Sequence, residues 1–321
     1  MKQRSFTAQR RAFLLSTTLG LLAPVTARAQ KRRRIGAMWQ PTALFLDKLA
    51  ILGWSETNNL EIIVRATGGD PRKAPALADE LLTTGVELVI AVDTPSAQAL
   101  FQRTKTVPII LAGVADPVAA GLIQSLARPS GNVTGWASDL NTLGGKYIEF
   151  SRELVPGLRR LAIMFNPENQ GSARGYQMSE RLLPAFGIEL VPTPVATAEQ
   201  LETALAVLAR ERPQILMVHP AQPILLHSAR IAEFAIRHGI PALGNTESQV
   251  QEGCLLSYGP NTGEMADRTV YYVDRILRGA APSDLPVESL TFRLTINLAT
   301  ARALGVTIPA SILGRADEVI E

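Results

Sequence analysis

The chain has 321 residues, 46% of them hydrophobic, with 32 lysines and arginines against 29 acidic residues. Five of the positive charges (Lys2, Arg4, Arg10, Arg11 and Arg28) and no acid fall in the first 29 residues, so the remaining 292 residues hold 27 basic side chains against the same 29 acids. That near-neutral balance argues against a nucleic-acid partner, the length exceeds one core and favours two lobes, and a single cysteine, Cys254, excludes an intramolecular disulfide.

In chain order, the opening segment reads as an export address. Its positive leader is followed by an apolar run from Phe13 to Val25, too short to span a bilayer, and by Ala27-Arg28-Ala29, a small-x-small cleavage site before Gln30. Arg10-Arg11 ahead of Ala12-Phe13-Leu14 resembles the twin-arginine signal; Gln9 and Leu15 depart from it, which leaves unfolded-chain export open. Residues 1–29 are expected to be removed and the mature protein to work in the periplasm. No cysteine follows the run, so no lipid anchor is expected.

Beyond the leader, short β-type runs alternate with segments of helical period. The runs are Ile35 to Met38, Leu60 to Val64, Glu87 to Val92, Ile109 to Ala112, Val133 to Trp136, Leu161 to Phe165, Ile188 to Val191, Ile215 to Val218 and Ile240 to Leu243. Between them Ala74, Leu77, Ala78 and Leu81 share a helical face, as do Val118, Leu122 and Leu126, and Leu201, Leu205 and Leu208. Alternation of this kind predicts parallel sheets covered on both faces, and the rhythm runs once before about residue 136 and again after it. Thr197 with Gln200, and Asn261 with Glu264, predict capping boxes; the second opens a helix with Met265, Thr269, Val273 and Ile276 on one face, ending at Gly279. Cys254 reads as a small buried hydrophobe.

Four apolar runs end in a polar residue or short loop and then proline: Asp93-Thr94-Pro95-Ser96, Asp116-Pro117, Asn166-Pro167-Glu168, and His219-Pro220-Ala221-Gln222-Pro223. Thr94 and Asp116 are expected N-caps, with proline preorganised for the first helical position. Each such turn marks the carboxyl end of a strand, where ligands of open parallel sheets bind. The backbone donors of Ser96 and Ala97, with the Ser96 hydroxyl, are expected to suit a carboxylate. Each turn alone is a plain cap; their presence in both halves points to a shared cleft.

Motifs for chemistry are missing. Gly144-Gly145-Lys146-Tyr147 lacks the earlier glycine and the following Ser or Thr of a phosphate loop, and His219, His227 and His238 have no zinc-site spacing. No nucleophile elbow surrounds any serine. Binding without catalysis is expected, with no cofactor and no metal.

Taken together, Arg34-Ile35-Gly36, Ala115-Asp116-Pro117-Val118, Ser125-Leu126-Ala127-Arg128-Pro129, Gly131-Asn132-Val133-Thr134-Gly135, Ser257-Tyr258-Gly259-Pro260, Tyr272 to Leu277, Ile296-Asn297-Leu298 and Arg315 to Ile320 resemble, in order, a family of periplasmic substrate-binding proteins of ABC transporters. That family includes tryptophan- and phenylalanine-binding members. The resemblance, over about residues 33 to 321, implies a type I periplasmic-binding fold: two Rossmann-like α/β lobes with parallel sheets and three interlobe crossovers. It places lobe 1 at 30–136 plus 258–289 and lobe 2 at 137–257 plus 290–321. It also implies a monomer that captures a small solute, an amino acid or related carboxylate, and delivers it to an inner-membrane permease driven by a cytoplasmic ATPase.

Carried over by position, the implied contacts are Thr94, Pro95 and Ser96, with Asp116 at the rim, from one lobe. From the other come Asn166, Glu168, His219, Gln222, Asn245 and Glu247, with Tyr258 near a crossover. Asp116 or Glu247 would pair with a ligand amine, though Asp116 as a cap is the simpler reading. The loop after the first strand is shorter than the family's, so Trp39 either fills that space, stacks on an aromatic ligand, or packs in the core. A sensory binding protein docking on a membrane receptor and an exported α/β enzyme are the alternatives.

Overall fold

The computed structural model describes residues 32–129, 131–138 and 140–321; the expected leader and its cleavage site lie outside them. Thirteen strands form two sheets among these residues. The first comprises β1 (Arg33–Ala37), β2 (Leu60–Val64), β3 (Leu88–Ala91), β4 (Ile109–Ala115), β5 (Val133–Ser138) and a short β11 (Glu288–Ser289), in the order β11-β5-β4-β3-β1-β2 and wholly parallel. The second comprises β6 (Arg160–Phe165), β7 (Glu189–Pro194), β8 (Ile215–Val218), β9 (Ala242–Gly244), β10 (Leu256–Pro260), β12 (Phe292–Asn297) and β13 (Glu318–Ile320), in the order β13-β12-β10-β9-β8-β6-β7. Its one antiparallel pair is β10 with β12.

Between the strands run α1 (Ala43–Ile51), α2 (Ala74–Thr83), α3 (Thr94–Arg103), α4 (Leu140–Leu154), α5 (Gln170–Leu182), α6 (Gln200–Glu211), α7 (Ser228–Arg237), α8 (Glu247–Gln251), α9 (Thr262–Leu277), α10 (Leu298–Leu304) and α11 (Ala310–Leu313). Helices on both faces explain why β3 (Leu-Val-Ile-Ala) and β8 (Ile-Leu-Met-Val) are unbroken apolar runs with every side chain buried. Each sheet accordingly carries one apolar cluster on each face.

The chain passes between the sheets three times, after β5, after β10 and after β11. β10 holds the second sheet as far as Pro260, three residues beyond the Ser257 boundary expected from sequence. The helix that follows, α9, belongs to the other lobe. Its Val270, Tyr272, Val273, Ile276 and Leu277 are buried with Ile35, Phe45, Leu49 and Trp136, and each such aliphatic side chain contributes about 1.5–3 kcal/mol. Trp136 Nε1 donates to Thr269 Oγ1 at 3.0 Å, fixing α9 to β5. On the other side of the crossover, the buried Tyr147 hydroxyl accepts from Tyr258 N at 2.9 Å. It also lies in hydrogen-bond contact with the carbonyls of Tyr258, at 2.6 Å, and of Gly244. One side chain of α4 thus clamps the end of β9 to the middle of β10.

Several local expectations are corrected. Asn261 does cap α9, accepting from Glu264 N at 2.8 Å, but Thr197 forms no capping box: α6 starts at Gln200, whose side chain accepts from Ala196 N at 2.7 Å. A capping box forms instead at Thr246 and Gln249, ahead of α8. No helix follows Asp116. That residue has φ 42 and accepts from Ala119 N at 3.0 Å, closing a turn, and the chain to Pro129 runs in turns and bends. Val118 and Leu126 are exposed there while Leu122 and Ile123 are buried, so no single apolar face existed to hold a helix. Cys254 is buried, and burial pushes its thiol up to about 12.

Candidate functional site

The carboxyl ends of the two sheets face each other. After β2, Thr67 to Pro71 forms a loop that approaches the second lobe: Gly69 has φ +94, and a Cβ on it would lie 3.2 Å from Pro223 Cβ and 3.5 Å from Gln222 Oε1. Only glycine combines that left-handed backbone with that proximity. After β3, Asp93 starts α3; after β6, Asn166 to Asn169 leads into α5; after β8, the chain turns through Gln222. Thr67, Gly69, Pro71 and Asp93 from one lobe and Asn166, Asn169 and Gln222 from the other line a half-open cavity of about 10 Å³, the scale of a single water.

Asp93, not Thr94, caps α3. Its Oδ1 accepts from Ser96 N at 2.8 Å and its carbonyl from Ala97 N at 3.1 Å. The two backbone donors expected to receive a carboxylate are therefore already used, and a carboxylate of the protein stands in front of that helix end. Burial pushes the Asp93 carboxyl up, against the lowering effect of its hydrogen bonding with Ser96.

The opposite wall is organised by asparagines. Asn166 donates from Nδ2 to the Gln222 carbonyl at 2.5 Å and accepts at Oδ1 from Glu168 N at 2.9 Å, tying the β6 end to the β8 end. Asn169 caps α5 by accepting from Ser172 N at 3.1 Å. Gln222 Oε1 is buried with no partner among the described residues.

The other sequence-derived candidates scatter. Thr94 and Ser96 are buried at the start of α3, and Thr94 Oγ1 would lie 3.0 Å from a Cβ on Gly171 of α5, where the lobes meet. Pro95 is half-buried in the first turn of the same helix. Glu168 sits at the rim, 3.8 Å from Arg72 of the other lobe. His219 is buried against Gly175, with Nδ1 3.4 Å from Ser172 Oγ; burial pushes its imidazole down to about 4, so it is neutral at physiological pH. Asn245 is buried after β9. Glu247, at the start of α8, is engaged by Asn261 Nδ2 at 3.2 Å and faces Arg293 at 3.8 Å, so the crossover claims its charge. Tyr258 packs its ring between Phe150 and Phe292, each 5.5 Å away. Trp39 meets Phe45 edge-on at 5.3 Å and packs on the core.

Of the expected residues, then, Asn166 and Gln222 line the cavity, and Asp93, Asn169 and Thr67 join them unannounced. Among the described residues no helix is long and apolar enough to cross a membrane, and no cluster of three or more metal-ligating side chains occurs.

Comparison with known proteins gives a consistent result. The profile of a family described as ABC transporter substrate binding protein matches residues 37–320. A tyrosine-binding protein of Clostridioides difficile is 26% identical over 261 residues, covering 81% of this chain and 75% of that one. A solved structure of a conserved domain protein from Vibrio cholerae superposes with a TM-score of 0.81 at 26% identity, over 90% of this chain and 99% of that one. For fold alone, an ABC domain from Streptococcus pneumoniae in complex with L-Trp gives a TM-score of 0.79 at 24% identity, over 90% of this chain and 100% of that one. These similarities, with the two-sheet topology, make the architecture that of a type I periplasmic binding protein.

Proposed function

The chain belongs to the ABC transporter substrate binding protein family, a family of solute-binding proteins rather than enzymes, and from that premise we propose that it captures an amino acid or a related small carboxylate between its lobes. The observation that carries this reading is the convergence of Thr67 and Asp93 from one lobe with Asn166, Asn169 and Gln222 from the other on one small space. Polar groups brought together from opposite sheets serve a molecule that touches both. Similarity to a tyrosine-binding relative supports an amino acid.

A cavity of about 10 Å³ holds no amino acid, since pockets for organic ligands run to hundreds of Å³. Capture therefore includes an opening of the lobes about the three crossovers, followed by closure that the solute favours. We assign the lobes to 32–138 with 262–289 and to 140–260 with 292–321, the division that follows the sheets. In this reading residues 1–29 direct export and are removed, the mature protein works in the periplasm, and its closed form docks on an inner-membrane permease coupled to an ATPase. The binding step needs no catalysis.

Thermal denaturation of ligand-stripped protein across the amino acids and small organic acids tests the assignment. A ligand at a hundred times its dissociation constant adds about 2.7 kcal/mol, a shift easily read. A complete set without a shift overturns the substrate class.

A further inference from the structure

From the groups around the cavity we infer that the cleft selects its solute by a cationic amino group, held between the Asp93 carboxylate of one lobe and the Gln222 side-chain oxygen of the other. This rests on the cleft being the ligand site, and adds to it which end of the ligand is read and by which residues.

Three observations converge. First, Asp93 and Gln222 line the same small space from opposite lobes. Second, Gln222 Oε1 is a buried acceptor with no donor among the described residues, and it points toward Gly69, another wall of that space. A buried acceptor left without a donor is costly, so a donor delivered there is strongly favoured. Third, among the described residues no lysine, arginine or histidine is paired with Asp93, whose carboxylate accepts from Ser96 N at 2.8 Å. Arg72, next in the chain to the wall residue Pro71, is held by Asp70 at 2.8 Å and faces Glu168 at 3.8 Å. An ammonium group carries the donors both oxygens lack, and its charge restores the ionised state that burial disfavours at Asp93.

The polarity is opposite to that expected of a helix N-terminus, which alone would receive an anion. Asp93 stands at the position such an anion would take, so the ligand's positive end goes there and its carboxylate is held elsewhere in the opened cleft.

The test measures binding by calorimetry for each of the twenty amino acids alongside its deaminated acid and its decarboxylated amine, on wild-type protein, Asp93→Asn and Gln222→Leu. Asparagine caps helices as well as aspartate, so Asp93→Asn keeps α3 while removing the charge. The expected result is binding confined to amine-bearing compounds, weakened about ten- to a hundredfold by either substitution, the range for losing a hydrogen bond to a charged group. Circular dichroism of both variants shows them folded; if one is not, the other decides. A deaminated acid that binds as well as its amino acid, or variants that bind with unchanged affinity, overturns this inference and leaves the solute-binding reading intact. A panel in which nothing binds the wild type overturns both.

Discussion

Among single residues, His219 shows most plainly how burial overrides chemical identity. Its imidazole, a candidate ligand contact from sequence, is pressed on Gly175 and Ser172 of α5 and pushed down to about 4 by burial. Above its ordinary value of 6.5, folded and unfolded chains are both neutral there. As pH falls below 6.5 the unfolded chain gains a proton that the folded chain refuses until about 4, so stability declines across that window, by about 3 kcal/mol in total. Urea unfolding at pH 7.0 and 4.5 checks this: wild type should lose about 2–3 kcal/mol more than His219→Gln on acidification. Equal losses would show that the ring is not the cause. The same scale explains what of the candidate site was legible. Asn166 and Gln222 could be found because proline marks the turns that hold them. Asp93 was hidden because Thr94 caps helices as readily, and the choice between adjacent residues depends on where the β3 backbone leaves the sheet. Asn169 and Thr67 sit in turns whose only sequence signal is polarity.

At the level of elements, the alternation of strands and helices could be read because parallel strands buried on both faces are continuous apolar runs, as in β3 and β8. Strands β10 to β13 escaped that reading: β10 carries Ser, Tyr, Gly and Pro, and β11 has two residues. Their pairing depends on partners far along the chain. The segment after Asp116 failed in the opposite direction, with helical spacing but no common buried face. A less visible element feature is the small-residue face of α5. A Cβ on Gly171 would lie 2.9 Å from Ala115 Cβ and 3.0 Å from Thr94 Oγ1 across the lobe boundary. Its own backbone is ordinary helix, so leucine there gains up to about 1 kcal/mol of helix propensity. We expect Gly171→Leu to fold with wild-type or greater stability yet hold the lobes apart, raising the radius of gyration in small-angle scattering and weakening ligand binding. A wild-type radius with wild-type affinity would show that the lobes close around a leucine without effect.

For the molecule as a whole, the hydrogen bonds and the ion pair described across the cleft join exposed or half-buried side chains, while those on the hinge side are buried. Gln98 Nε2 donates to Gln170 Oε1 at 2.9 Å, Arg174 Nη2 to the Ala119 carbonyl at 2.8 Å, and Arg72 faces the exposed Glu168 at 3.8 Å. The ion pair contributes between about 0 and 1 kcal/mol and each hydrogen bond about 0.5–1.5 kcal/mol net. Trp136 on Thr269 and Tyr147 on β9 and β10, by contrast, fix the hinge side within apolar surroundings. Such a division lets the mouth open while the hinge stays folded, and it sets a scale for closure of only a few kcal/mol. Removing the first two contacts together, by Gln98→Ala with Arg174→Ala, should disfavour the closed form by about 1–3 kcal/mol. Because a ligand's apparent affinity falls with the population of its competent state, the dissociation constant should rise by between about fivefold and a hundredfold. Unliganded melting should hardly move, since the lobes keep their own cores. Calorimetric titration beside thermal denaturation separates the two effects: weakened binding with an unchanged melting point supports a weak latch over a rigid hinge, whereas unchanged binding, or a melting point that falls with it, shows that these contacts do not govern closure.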